Sequence, residues 1–278
     1  MTKFIMKISS YLKQEDGFAI TRIDVSRLAW YLIPPGIIIS VFGIWEIIVS
    51  VLDVPVWLLP APSDVIVEVI ENYSLLWDHT FVTLKEVVFG FLVALTVGLA
   101  LSFCMVFSRA IERTVYPFVV GSQTIPIIAI APLLLIWVGY GIAPKIRVVA
   151  LISFFPIVVN TMDGFKAVDA DAINMMRTFG GTRWQIFTKL QLPNSLPYMF
   201  TGMKIAIVVS VIGAVIGEWV GASEGLGYLM TRSIPQFQTD RVFAAMFILS
   251  CLGIVLFLSV IALRRIVVPW HQSEGYKP

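Results

Sequence analysis

The sequence predicts an all-α membrane protein with six transmembrane helices. Three observations carry that prediction. The 278 residues are 58% hydrophobic and only 14% charged, where an ordinary soluble domain is about 45–50% apolar and about 25% charged. Six stretches reach or approach the run of about 20 apolar residues that a bilayer crossing requires. The lysines and arginines between those stretches fall mostly on one side.

The composition excludes a soluble enzyme built on a small core. It also excludes a disordered chain, which would combine low hydrophobicity with high charge. The formal net charge of +2 is too small to point to nucleic acid as a partner. The two cysteines, Cys104 and Cys251, each lie inside an apolar run. They are expected to be buried thiols packing as small hydrophobes. They form no disulfide framework and no metal-ligand spacing, and no metal site or cofactor is expected.

The spans are read in order as 33–52, 87–107, 114–138, 148–162, 198–220 and 242–263. The second carries no charge. The fourth is short and gains length if Arg147 snorkels. Residues 1–32 form a tail with Lys3, Lys7, Lys13, Arg22 and Arg27, and its opening 28 residues lack the apolar run and cleavage site of a signal peptide. With that tail placed in the cytoplasm, fourteen basic residues lie inside and five outside, the bias expected of a multi-pass protein with both termini inside. The permease body is therefore 33–263, and residues 264–278 form a cytoplasmic C-terminal tail. A bacterial plasma (inner) membrane location is expected.

Two connections are longer than helix–helix turns usually are. The outer one, 53–86, carries Asp53, Asp64, Glu68, Glu71 and Asp78. Pro60 and Pro62 stop any preceding helix, and Ser63 can cap a short helix from Asp64. That helix is either a solvated surface element or a platform for an external partner. The inner connection, 163–197, is richer. Asp169 or Asp171 can cap a helix whose apolar face is Ala172, Met175, Met176 and Phe179. Gly180 supplies the left-handed residue that ends it. Thr182 and Gln185 form a capping box for a second helix, with Trp184, Phe187 and Leu190 as its stripe and Pro193 and Pro197 expected to end it. The pair either lies on lipid or docks a cytoplasmic partner.

Within the spans, Gly213, Gly217 and Gly221 recur every four residues, as do Gly90, Ala94, Gly98 and Ser102. Such spacing lets helix backbones approach closely, within one chain or across a dimer. Pro117, Pro126 and Pro132 bend span three, next to Gln123 and Thr124. A broken helix is tolerated in a membrane where it lines a cavity or is covered by protein. Gln123, Thr124 and Asn160 are pathway candidates, although inter-helix hydrogen bonding explains them equally well. Glu46, Lys204 and Glu218 are the ionisable residues inside spans. Intramembrane charge is a functional candidate by default. Lys204 is close enough to one end to snorkel, and Glu218 is expected to gate or stabilise through a salt bridge. Gly221-Ala222-Ser223-Glu224-Gly225 matches a hydrolase nucleophile elbow. It follows a membrane helix instead of a strand, and His79 and His271 fall on opposite faces. No nucleotide-binding Gly-x-x-x-x-Gly-Lys-Ser/Thr occurs.

The inner connection resembles the cytoplasmic signature of binding-protein-dependent ATP-binding-cassette (ABC) importer permeases. That signature is Glu-Ala-Ala, three residues, Gly, nine residues, then Ile-x-Leu-Pro. Here Asn174, Met175 and Met176 occupy the triplet, Gly180 the glycine, and Leu190, Gln191, Leu192 and Pro193 the ending, with no gap. Asn174 replaces the acidic residue, so a salt bridge made by that residue is not carried over. LPAPSDV, TLKEVVFGF, IPIIAIAPLLLIWVGYG and GEWVGASEGLGYLM extend the resemblance over residues 30–270. They are similar to the nitrate/sulfonate/taurine/bicarbonate group. The VPWH ending, Val268 to His271, looks like permeases for pyrimidine-precursor or riboflavin-type uptake.

The resemblance implies a MetI-like type I importer permease, a transport subunit and not an enzyme. It would work as a homodimer with two ATPase subunits and an extracytoplasmic solute-binding protein. The ATPase contact would span Asp171 to Leu190, with Gly180 as hinge and Asp171, Asn174, Arg177, Thr182, Arg183, Trp184, Leu192 and Pro193 as its residues. Two other readings compete. An ion-driven carrier would show paired inverted repeats, and an intramembrane serine protease would need Ser223 beside a histidine.

Overall fold

The computed structural model describes residues 25–270, with side chains from residue 33. The tail lysines Lys3, Lys7 and Lys13, Arg22, His271 and Lys277 lie outside the described residues. Every regular element among the described residues is a helix. The chain divides into two units at Asp53.

The first unit contains α1, Val25–Val51. Ile37, Ile39, Val41 and Ile47 are all exposed on it, as in a helix whose surroundings are apolar on every side. Ser40 satisfies its hydroxyl by donating to the Gly36 carbonyl at 2.8 Å.

The second unit begins with α2, Pro62–Glu71. It starts two residues before the expected Asp64 and uses a different cap. The Asp64 carboxylate accepts from the Ala61 N–H at 3.0 Å, and Pro62 occupies the first turn, where a missing N–H costs nothing. α3, Tyr73–Phe107, is 35 residues long, about 52 Å at 1.5 Å per residue. The second half of the outer connection is therefore the leading end of the helix whose apolar run begins at 87.

Span three is two helices, α4 (Arg109–Ser122) and α5 (Ile127–Val138), bent by 101°. Pro126 offers no N–H and pushes Ile125 out of helical geometry, so the break falls at Gln123–Pro126. Among the described residues, five single helices are long and apolar enough to cross a membrane, and the α4–α5 pair makes a sixth span if counted as one. α6, Ile142–Lys166, extends the short fourth stretch at both ends.

α7, Ala170–Thr178, is capped by Asp169, whose carboxylate accepts from the Asp171 N–H at 2.9 Å. α8, Arg183–Ile186, carries the expected Thr182–Gln185 capping box. Pro193 and Pro197 do not end the helical path beyond it. A π turn, Phe187–Gln191, leads directly into α9, Leu192–Trp219. Pro193 sits in the first turn of α9, where its missing N–H costs nothing, and Pro197 lies inside that helix. α10 (Leu226–Ser233), a 3-10 turn and α11 (Thr239–Val267) complete the chain.

α6 lies between α3 and α9 and packs along both. Small residues set these contacts. Gly90 and Gly213 face Val149, Gly98 faces Ile157, and Gly217 faces Lys145. The glycine row in span five is thus occupied by α6 of the same chain, and Gly221 meets Leu135 of α5. Ser153 and Ser210 share a buried 2.7 Å hydrogen bond between α6 and α9. Cys104 and Cys251 are exposed on the bundle surface and not buried as expected, because apolar surroundings in a membrane protein include its outer face.

A close approach of glycine to the α6 backbone predicts a mutational effect. A Cβ at Gly202 would lie 2.6 Å from the Pro156 carbonyl oxygen and 2.9 Å from Asn160 Cβ. Gly202→Ala should destabilise by about 1–3 kcal/mol, read as a lower unfolding midpoint in detergent. Gly121→Ala, where nothing lies within 4 Å, should not.

Candidate functional site

Two clusters lie at opposite ends of the α3–α6–α9 core. The first is the α7–α8 hairpin. Its bend is a helix stop of defined hydrogen bonding. Gly180 sits at φ +77, its N–H donates to the Arg177 carbonyl at 2.9 Å, and the Gly181 N–H donates to the Met176 carbonyl at 2.9 Å, the paired bonds of a Schellman stop. The expected apolar face of α7 has no buried residue. Met175 is 57% exposed and Phe179 83%. Asp171 and Asn174 are exposed beside them.

The opposite side of the hairpin is anchored. Phe187, in the π turn, is buried and reaches Phe107 at 4.8 Å, with Phe103 of α3 and Phe165 of α6 each at 5.8 Å. Trp184 stacks on Phe107 at 6.1 Å, with ring planes 18° apart. Such aromatic pairs each contribute about 0.5–1.5 kcal/mol beyond area burial. Arg177 and Arg183 line a cavity of about 660 Å³ with Arg109, Glu112 and Lys166, where Lys166 pairs with Glu112 at 2.9 Å. Leu192 and Pro193 are half-buried at the start of α9.

The second cluster is polar and buried. Lys145 of α6 and Glu86 of α3 form a 2.8 Å ion pair. Glu218 of α9 is 1% exposed. It accepts from the Thr83 hydroxyl at 2.6 Å and from the Gly227 N–H at 2.5 Å. Thr83 accepts in turn from the Leu226 N–H at 2.9 Å, and His79 Nδ1 from the Gly225 N–H at 2.9 Å. Glu218 therefore makes hydrogen bonds in place of the expected salt bridge, and the ion pair belongs to its neighbours.

In the sequence, Glu86 and Lys145 read as loop charges. Their burial is hidden there because the charge-free run of span two begins one residue after Glu86. The aromatic anchor is half visible: Phe187 belongs to the stripe, but its partners on α3 and α6 carry no local signal.

The remaining candidates are dispersed. Gln123 and Thr124 are exposed at the α4–α5 break. Asn160 donates to the Pro156 carbonyl of its own helix at 2.8 Å. Ser223 is exposed in the turn after α9, and His79 is engaged with Gly225, so no serine–histidine pair forms there. An apolar recess of about 830 Å³ lies among α5, α9 and α11, lined by Ile128, Val211, Val215, Trp219, Leu249 and Ile254.

Residues 87–272 match the family described as the binding-protein-dependent transport system inner membrane component. The chain belongs to that family. It is a multi-pass membrane permease subunit of an ABC importer, not an enzyme, and its family works with a separate ATPase and a solute-binding protein. It is similar to the formylaminopyrimidine transport permease protein ThiX of Halalkalibacterium halodurans, 42% identical over 83% of this chain and 92% of that protein. It is also similar to the riboflavin transport system permease protein RibX of Chloroflexus aurantiacus, 32% identical over 90% and 94%. The MetNI methionine ABC transporter in an inward-facing conformation shares the fold, with TM-score 0.62 at 20% identity over 70% of this chain and 97% of that one.

The ion pair gives a direct test. Lys145→Met leaves a buried carboxylate uncompensated and should cost about 3–5 kcal/mol. The double variant Lys145→Met/Glu86→Leu should recover most of that loss in thermal unfolding of the detergent-solubilised protein.

Proposed function

We propose that this chain is one half of a homodimeric permease. It carries a small solute into the cytoplasm by alternating access, driven by two ATPase subunits at the α7–α8 hairpins and supplied by an extracytoplasmic binding protein. The observation that supports this best is the two-sided build of the hairpin. Met175 and Phe179 face outward on a helix ended by a rigid stop, while Phe187 is held by α3 and α6. An apolar helix face of this kind suits a groove on a partner. Force applied there reaches α3 and α6 through the phenyl cluster, and α9 through the unbroken π turn.

In this reading Asp171, Asn174, Arg177, Thr182, Arg183 and Trp184 form the ATPase contact, and Leu192 and Pro193 the joint to α9. Both tails, 1–32 and 264–278, are cytoplasmic, and the α10 turn faces outward, in accord with fourteen basic residues against five. The host membrane is a bacterial plasma membrane.

The substrate is proposed to be a pyrimidine-type or riboflavin-type heterocycle. Support comes from the names of the two relatives above, which outrank in identity the sulfonate and taurine permeases of Escherichia coli at 28% and 25%. Vesicles holding the assembled transporter should take up labelled formylaminopyrimidine only with internal-face ATP, and unlabelled taurine should not compete. Uptake of taurine alone would contradict the assignment.

Gly180→Pro tests the coupling role. Proline cannot adopt φ +77 and lacks the N–H that bonds Arg177. Uptake should fall to background while membrane insertion persists. Wild-type uptake in that variant would refute the hairpin as the point of drive.

A further inference from the structure

The second cluster has a geometry that the transport reading leaves unused. Three consecutive N–H groups open α10: those of Gly225, Leu226 and Gly227. Each donates to a side chain from another helix: His79 and Thr83 on α3, and Glu218 on α9. Thr83 is the joint of the set, since its hydroxyl accepts from α10 and donates to Glu218. The backbone is cut to fit. Gly225 is at φ +117, and a Cβ there would strike the Glu218 carboxylate. At Gly227 a Cβ would lie 2.8 Å from Glu218 Oε2 and 3.1 Å from Val215 Cα. A free helix start would leave these donors to water; here they are buried and directed at fixed acceptors.

We infer that Thr83 and Glu218 are positioning residues that latch α10 to α3 and α9, so that a load on α10 from the binding protein moves the core helices together. Two features extend the latch. The Glu86–Lys145 pair ties α3 to α6 beside it, and the phenyl cluster ties the same α3 and α6 to the start of α9 at the opposite end. On the outward side of α10, Thr231 and Arg232 are exposed and open to a docked partner. Without the latch, α10 is held to its neighbours by apolar packing of Leu226 and Leu229 in the core, which is non-directional and lets a load on it slip.

This inference rests on the proposed pairing with a binding protein and ATPases. The test uses the assembled transporter in nanodiscs, with its solute-binding protein and formylaminopyrimidine as probe. The readout is the ratio of ATPase rate with loaded binding protein to the basal rate. Thr83→Val keeps shape and removes both hydrogen bonds, and the ratio should fall at least about tenfold, the factor that about 1.4 kcal/mol of coupling represents, with the basal rate retained. Thr83→Ser, which restores the hydroxyl, should recover the wild-type ratio. A wild-type ratio in Thr83→Val would overturn the latch, and so would an equal fall in both rates, which marks a merely structural residue. A wild-type transporter that does not respond would overturn the transport reading and the latch with it.

Discussion

Helices in a bilayer gain little from hiding apolar surface from one another, because lipid is as apolar as leucine. What holds this bundle is the closeness of backbones that glycine permits along α6. Gly90 and Gly98 of α3 and Gly202, Gly213 and Gly217 of α9 all press on α6. The other contacts depend on that sandwich. The three helices can be pinned at both ends only because they are already in register along their length. The pins differ in chemistry, apolar rings at the hairpin end and a hydrogen-bonded carboxylate at the other.

The difference has a physical basis. A ring cluster such as Phe103, Phe107, Phe165 and Phe187 tolerates small sliding, since dispersion is non-directional. The Glu218 set does not, because buried hydrogen bonds that are lost cost the full desolvation of their donors and acceptors. One end of the core is therefore suited to accept movement and the other to hold shape.

Much of the fold is legible in the chain. The charge-free run 87–107 locates α3, the proline cluster announces the α4–α5 break, and Gly180 marks the stop between two amphipathic helices. Boundaries fail where tertiary context overrides a local signal. Pro193 and Pro197 read as helix ends, yet the π turn at Phe187–Gln191 leads straight into α9, which takes Pro193 in its first turn and runs on through Pro197. Cys104 and Cys251 read as buried because the outside of a membrane helix is as apolar as its inside. Glu86 and Lys145, 59 residues apart, look like ordinary loop charges, and no local periodicity pairs residues at that distance. Glu218 stands out as an ionisable residue in a span, but its partner Thr83 lies in a stretch that reads as an outer loop.

ATP-driven force, on the proposed function, enters through the outward face of the α7–α8 hairpin. Photo-cross-linking tests this most directly, with a benzophenone maleimide on the cysteine of Phe179→Cys, the most exposed apolar residue of that face at 83%, in a background lacking Cys104 and Cys251. The labelled cysteine should cross-link to the ATPase subunit in high yield, and ATP should change that yield. Cross-linking absent at Phe179 but present from an α10 cysteine such as one at Thr231 would place the ATPase at the opposite end of the core and contradict the hairpin as the point of drive.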